Sequence, residues 1–497
     1  MEKPKRKEQK IKPKLSELAG KDTSSFSKII QRTWPCFVSY GTRAFTVSVL
    51  FINMYVISIL IWPLDGFHSL DIGILIGLST YMMAFSGILF GNLADRYSRI
   101  MLFAISTGFY GFGLFLNGFA PQGLTTTTYI FFLVCQGIRG FFSGGLWPII
   151  NSYANDATKD KERSRFFGGL TAVWQILQLG GMLLAAISFE AGYWRVYFLL
   201  TGAGTIATSF ILLKGKQYKR AANHDELRHV LADEATHYHY KLNKETIKST
   251  ILAPTNIVAF LEGIFTTIVI SIPDFLLVAY FQSPPHNYSQ VSTSLFMIIF
   301  GVPAGVFGAI IFGKLSDYLA EKSVKNRVYL IILSILTIYI LFILVFFLPL
   351  PLLTPTQGNN ILVLFQYPMM WIMGIVAFIV RSVLGLYSIN QSPILQKVNL
   401  PEAQGTISSS NQFLELIGSG TGPIIAGGLL LILNGNYQST VFITMSLGAI
   451  GALMWFATIF FIEKDINRVS SILKERGAEL LAKKKVSGII EEEINPN

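Results

Sequence analysis

The chain has 497 residues, of which 52% are hydrophobic and only 14% charged, against about 25% charged in an ordinary soluble domain. This composition cannot supply the polar coat of a water-soluble protein, and apolar runs of about 18 residues or more recur along its whole length, as membrane-crossing helices require. The formal net charge of +11 would suit a nucleic-acid partner, but where the charge sits removes that need.

In chain order, a basic tail (residues 1–33, beginning MEKPKRKEQKIKPK) comes first. It has no short apolar region behind it, so no cleavable signal peptide is expected. Twelve apolar segments follow, near 35–62, 72–92, 100–118, 129–152, 166–189, 193–213, 254–281, 291–312, 328–350, 361–388, 405–432 and 438–462. The odd-numbered connections contain no Lys or Arg. Of the 40 basic residues, all but Arg43, Arg139, Arg195 and Arg381 lie in the termini and even connections. By the positive-inside rule, both termini face the cytoplasm of a cell membrane, and the basic excess faces lipid headgroups. Cys36 and Cys135 sit in different segments, with neither ligand spacing nor a disulfide framework.

The stretch 214–250 is the longest polar interruption and divides the segments six and six. It separates a first bundle (34–213) from a second (251–462), and residues 463–497 form a tail. Its histidines, His224 and His229 among them, lack a clean ligand spacing and read as part of a solvated linker, so no metal or other cofactor is expected. Three local matches suggest that the halves are repeats. Pro35 matches Pro254, Gly91-x-Leu-x-Asp95 matches Gly313-x-Leu-x-Asp317, and Gly145-Leu-Trp147 matches Gly385-Leu-Tyr387, at separations that rise along the chain. In the tail, Ile466, Val469, Leu473 and Leu480 stand at roughly helical spacing with bases between, the pattern of a helix lying along the inner leaflet.

GNLADRYSRI (Gly91–Ile100) resembles the signature between the second and third helices of the major facilitator superfamily, in Gly91, Leu93, Asp95, Arg96 and Arg99; Ser98 and Ile100 depart from it. RGFFSGGLWP (Arg139–Pro148) is similar to that family's fourth-helix arginine motif, and GYWRVYF (Gly192–Phe198) to the start of its sixth helix. The resemblance spans residues 34–462. It implies an all-α integral membrane protein of twelve transmembrane helices in two pseudo-symmetric six-helix bundles, with a substrate site between them near mid-membrane. The signature reads as a cytoplasmic gate, a latch closed when the site opens outward, in which Gly91 permits close helix packing and Asp95 faces a helix start (by the resemblance, that of the eleventh helix). Arg96 and Arg99 hold Asp95 or bind headgroups; as the plainer reading the arginines only set topology. The second copy, Gly313 and Asp317, lacks an adjacent arginine and reads equally well as a plain helix end.

Ionisable residues inside the spans are costly and mark cavities or relays. Six stand out: Arg43, Arg139, Glu262, Asp274, Arg381 and Glu415. Arg43 lies eight residues after Pro35 and Glu262 eight after Pro254, about 12 Å along a helix. The two are thus expected at similar depth with opposite charge. The resemblance, which implies that helices one and seven face each other across the cavity, has them face one central cavity, either paired or dividing a substrate's charges. Interhelical salt bridges and snorkelling side chains are the plainer reading. Glu262 and Glu415 are candidates for proton coupling, Asp274 follows Pro273 and reads as a kink or gate, and Gln175, Gln178, Asn411 and Gln412 can offer neutral hydrogen bonds. Asn287-Tyr-Ser289 is a glycosylation sequon on an expected outer loop. No nucleophile–base pair, phosphate loop or HExxH motif points to an enzyme. The expectation is a monomeric secondary transporter of a small solute, an organic anion or zwitterion, with proton coupling as one drive. A non-transporting sensor on the same scaffold and a membrane-embedded lipid enzyme are the alternatives.

Overall fold

The computed structural model describes residues 26–158, 160–218 and 252–494, so the expected 214–250 linker and the 1–33 tail fall largely outside the described residues. Twelve long helical elements carry the fold. Helix α1 runs in three pieces, Phe26–Val47, Val49–Ile52 and Met54–Ile61, and α2 (Ser69–Arg96) and α3 (Arg99–Leu116) follow. Helix α4 is broken into Thr125–Ser143 and Leu146–Ala157; α5 is Asp160–Glu190 and α6 is Trp194–Leu212. The second set is α7 (Pro254–Gln282), α8 (Gln290–Lys322), α9 (Lys325–Phe347), α10 (Pro368–Lys397), α11 (Pro401–Ile432) and α12 (Tyr437–Ile494). Among the described residues, eleven of these elements are long and apolar enough to cross a membrane, and Gln290–Gly305 of α8 adds a shorter apolar stretch. Large side chains such as Phe460, Leu200 and Ile340 stand exposed on their outer faces, as lipid rather than water would favour.

The helix ends follow local chemistry. Ser98 caps α3 by accepting the Met101 N–H, and Ser289 caps α8 by accepting the Ser292 N–H at 3.1 Å. Pro254, Pro368 and Pro401 open α7, α10 and α11, where the missing N–H leaves no bond unmade. Pro368 also corrects the expected tenth segment. Tyr367 before it is extended, as a residue preceding proline tends to be, so Ile361–Phe365 forms a separate turn. Pro35 does not begin α1 but lies inside it. Tertiary packing keeps the preceding turns helical: Ile29 and Thr33 are fully buried, and Ile29 joins a core with Phe37, Phe166 and Leu170. The tail expected to lie on the inner leaflet is instead continuous with α12, with no break at residue 462. Asp465 and Val469 of this extension are buried, and Asp465 accepts the Thr255 N–H at 3.1 Å at the start of α7.

The two sets pack alike. In the first, α1 lies on α5 and α6, α3 on α6 and α4, and α2 on α4; in the second, α7 lies on α11 and α12, α9 on α12 and α10, and α8 on α10. Between the sets the main contact is α2 with α11, and α5 with α8 is its symmetry-related counterpart. Call the end carrying the Arg- and Lys-rich connections the basic end and the other the base-free end. A large core runs through the second set and, near the base-free end, takes in the first, joining Ile52, Ile61 and Ile72 to Phe275, Leu276 and Phe281, whereas the basic-end core of the first set contains only its own residues.

Candidate functional site

Four of the six expected intramembrane charges fall into two pockets at equivalent places in the two bundles. In the first bundle, Arg43 of α1 is 1% exposed. Its Nη1 donates to Ser106 Oγ at 3.0 Å, and its Nη2 donates to the Phe142 carbonyl at 3.1 Å and to Ser143 Oγ at 3.4 Å. The acceptors of Nη2 lie just before the break in α4. Arg139, also on α4, donates to Gln136 Oε1 at 2.9 Å, to the Tyr110 hydroxyl at 3.1 Å and to the Thr46 carbonyl at 3.4 Å. Both guanidinium groups lie against the Tyr110 ring, 4.6 and 5.2 Å from its centroid. Among the described residues no carboxylate pairs with either arginine. Neutral oxygens and one aromatic ring carry two buried positive charges, and cation–π attraction is strongest where water is excluded.

In the second bundle Glu262 of α7 is wholly buried. It accepts hydrogen bonds from the Thr266 hydroxyl and, at 3.1 Å, from the Tyr387 hydroxyl of α10. Tyr339 of α9, Trp455 of α12 and Glu415 of α11 surround it. Glu415 accepts from Asn411 Nδ2 at 2.7 Å, and both residues lie over Gly263, the neighbour of Glu262. No Lys or Arg pairs with either acid among the described residues.

The pockets correspond at their centres, although Arg139 on α4 and Glu415 on α11 do not occupy equivalent helices. Thr46 and Tyr110 stand to Arg43 as Thr266 and Tyr339 stand to Glu262: one helical turn further along the same helix, and midway along the third helix of the bundle. Position is shared while the sign of the charge is inverted. Arg43 and Glu262 are not paired; each is enclosed within its own bundle, with partners from that bundle alone. The remaining two charges, Asp274 of α7 and Arg381 of α10, form an ion pair at 2.7 Å with about a quarter to a third of each side chain exposed. Asp274 therefore tethers α10 in addition to following Pro273. Of the expected polar helpers, Gln178 donates to Ser48 Oγ at 3.1 Å, while Gln175 and Gln412 are exposed.

Of the gate signature, the described residues place the glycines, the two arginines and Asp317. A Cβ at Gly91 would meet only Pro148, at 4.0 Å, and one at Gly313 nothing within 4 Å, so close packing does not explain either glycine. Arg96 is exposed, Arg99 Nε donates to Ser152 Oγ of α4 at 2.8 Å, and the Asp95 side chain lies outside the described residues. Asp317 does have an arginine, at the start of the following helix rather than beside it. Arg327 of α9 donates to Asp317 Oδ1 at 2.8 Å, to Ser316 Oγ at 3.0 Å and to Asn390 Oδ1 of α10 at 3.3 Å. In both bundles, then, an arginine opening the third helix reaches the fourth. The sequence reading missed Arg327, Tyr110, Thr266, Tyr339 and Tyr387; the offset from Arg43 to Glu262, carried to Tyr110, leads to the exposed Tyr329 and not to the buried Tyr339. The sequon residue Asn287 donates its side-chain amide to the Leu353 carbonyl at 2.7 Å, and Ser289 is buried.

The bundles meet along α2 and α11, beginning at the base-free end. Ser69 Oγ donates to the Gly427 carbonyl at 2.8 Å, Tyr81 and Thr421 share a hydrogen bond of 2.8 Å, and the Phe85 and Phe413 rings meet edge-on at 5.5 Å. Among the described residues no ring or hydrogen-bond contact joins these helices closer to the basic end. A Cβ at Gly73 would collide with the Pro423 carbonyl and one at Gly427 with the Ser69 carbonyl; small residues let the backbones touch, as is common between helices in lipid. Gln282 Nε2 donates to the Ile52 carbonyl at 2.9 Å, and Phe67 meets Phe275. The base-free end is sealed.

A multi-pass membrane protein of two like six-helix bundles, closed at one end and holding buried charges of opposite sign in its halves, has the architecture of a membrane transporter. The chain belongs to the Major Facilitator Superfamily, whose family model matches residues 43–423. Short stretches resemble synaptic vesicle glycoprotein 2C of Mus musculus (28% identical over 172 residues, 30% of this chain and 22% of that protein) and multidrug resistance protein 3 of Bacillus subtilis (30% over 149 residues, 29% and 27%). The matches therefore span under a third of these relatives' lengths. Solved structures share the fold. A bacterial homologue of the human lysosomal transporter Spinster, inward-facing and occupied, superimposes with a TM-score of 0.64 at 17% identity, covering 89% of this chain and 99% of that one. The nucleoside transporter NupG gives 0.61 at 14% identity, covering 87% and 98%.

Proposed function

We propose that the chain is a proton-coupled secondary transporter in a cell membrane, with both termini cytoplasmic, moving a small zwitterionic solute as a monomer by alternating access. The basic end is then the cytoplasmic one, and the closed base-free end supports reading this conformation as inward-facing. One observation carries the reading: Arg43 and Glu262 stand at equivalent positions in the two bundles, with Arg139 and Glu415 beside them, and among the described residues no charged partner neutralises either set. Buried charges without partners are retained in membrane proteins for substrates and relays. Each pocket is enclosed within its own bundle in this conformation; once movement of the halves uncovers them, a solute with one anionic and one cationic group would match their inverted signs. The buried acid pair, hydrogen-bonded by hydroxyls and amides alone, offers the exchangeable proton. When the halves rock, the α2–α11 seam opens and the solute exchanges to the other side.

The test is transport in proteoliposomes, with a solute first chosen by thermal-shift screening of zwitterions, organic anions and cations at two pH values. Wild-type protein should accumulate a zwitterion when the lumen is alkaline. Glu262→Gln should lose accumulation driven by the pH gradient and keep solute exchange. Binding without flux would make the chain a sensor, and accumulation indifferent to the gradient would remove Glu262 from the mechanism.

A further inference from the structure

On the outer face of the first bundle, remote from the α2–α11 seam, α3 and α6 part to leave a groove of about 400 Å³. Its walls are Met101, Ile105, Phe109 and Phe112 of α3 and Phe210 and Leu213 beside α6, all with much of their surface exposed. The α3 residues recur every three or four positions, a single stripe along the helix. The floor lies at Gly108, where a Cβ would come within 3.1 Å of Ser209 Oγ. From Met101 to Phe112 the groove runs about 16 Å at the helical rise. That is about half of a hydrocarbon core roughly 30 Å thick, the depth of one leaflet.

The mouth of the groove is basic. Lys214 follows Leu213 directly, Lys216 stands two residues on, and both are exposed. On the α3 side Arg99 precedes Met101 by two residues, and a 2.6 Å hydrogen bond from Ser98 to Gln217 holds the two rims together. Neither 97–112 nor 194–218 contains an acidic residue. An apolar channel one leaflet deep, opening at headgroup level between lysines, has the chemistry of a single lipid. We propose that this groove binds one acyl chain of an anionic phospholipid, whose phosphate is held by Lys214 and Lys216. The site is independent of the solute pathway.

Native mass spectrometry of the full chain in detergent tests this, titrated with phosphatidylglycerol and with phosphatidylcholine of the same acyl chains. Wild-type protein should prefer phosphatidylglycerol by tenfold or more. Lys214→Ala and Lys216→Ala should each remove about fivefold of that preference, the scale of one lysine near an anionic membrane surface, and arginine at both positions should restore it. Ile105→Trp, which fills the groove, should weaken binding of both lipids. Soluble glycerol phosphate should not compete. Equal affinity for the two lipids, or a preference that survives loss of both lysines, overturns the proposal. So does competition by glycerol phosphate, which would mean that the acyl groove is not used. Should Ile105→Trp fail to accumulate, the exposed lysine positions and the competition arm still decide.

Discussion

Adding a single methyl group at Gly73 should reverse which end of the protein is closed. Gly73 lies on α2 where a Cβ would run into the backbone carbonyl of Pro423 on α11, an atom that cannot swing aside as a side chain can. Ordinary contact begins near 3.4 Å, so the helices must part by about 1 Å, and overpacking of this kind costs about 1–3 kcal/mol. The cost falls only on the state in which the seam is shut, which shifts the balance between conformations by roughly 5- to 150-fold. Gly87→Ala is the control on the same helix, because its Cβ would sit 3.6 Å from the nearest atom, the Gly144 carbonyl. Electron–electron resonance distances supply the readout, with Cys36 and Cys135 replaced and spin labels placed on exposed positions. One pair, Gly66 and Leu352, spans the base-free end; the other, Tyr97 and Tyr318, spans the basic end. In Gly73→Ala the first distance should lengthen and the second shorten, while Gly87→Ala should match the parent. Folded Gly73→Ala protein with parental distances at both ends would refute the assignment of the seam as the gate.

Two further outcomes follow from the geometry. Arg327→Ala should lower stability by about 1.5–3 kcal/mol, since it removes charge-assisted bonds from a buried guanidinium to Ser316 and Asn390. Asp317→Asn should cost under about 1 kcal/mol, because the Asp317 side chain is 73% exposed and water screens the pair; thermal melts in detergent separate the two, and equal losses would contradict this account. At the base-free end, His286 donates Nδ1–H to the Pro351 carbonyl at 3.1 Å, and burial holds its pKa below the ordinary 6.5. The unfolded chain therefore takes up a proton that the folded loop resists, so this contribution is complete above pH 6.5 and fades as the pH falls below it. His286→Gln should flatten the decline in melting temperature between pH 7.5 and 5.5 in proportion; an unchanged pH profile would show that the loop does not resist protonation.

The class of fold was open to reading in the amino-acid sequence because lipid admits so few solutions. Backbone groups in hydrocarbon must bond within their own segment, so long apolar runs become helices, and the uneven distribution of Lys and Arg distinguishes the two ends. The inverted pair Arg43 and Glu262 was visible for a related reason: a buried charge is rare enough in a membrane helix to stand out singly. Helix limits were less legible. Pro35 suits a helix beginning, yet Ile29 and Phe166 share a core that keeps the turns before it helical, and the tail continues α12, where Asp465 fastens it to the start of α7.

What only the tertiary structure decided is who meets whom. Arg327 and Asp317 stand on successive helices, Asp274 and Arg381 are more than a hundred positions apart, and Tyr110 and Tyr339 look like any other aromatic residue in an apolar run. Composition records that a charge is buried, since that cost belongs to the residue itself. Which hydroxyl, ring or carbonyl offsets the cost depends on helix rotation and register, and these are set by the packing of all twelve helices together.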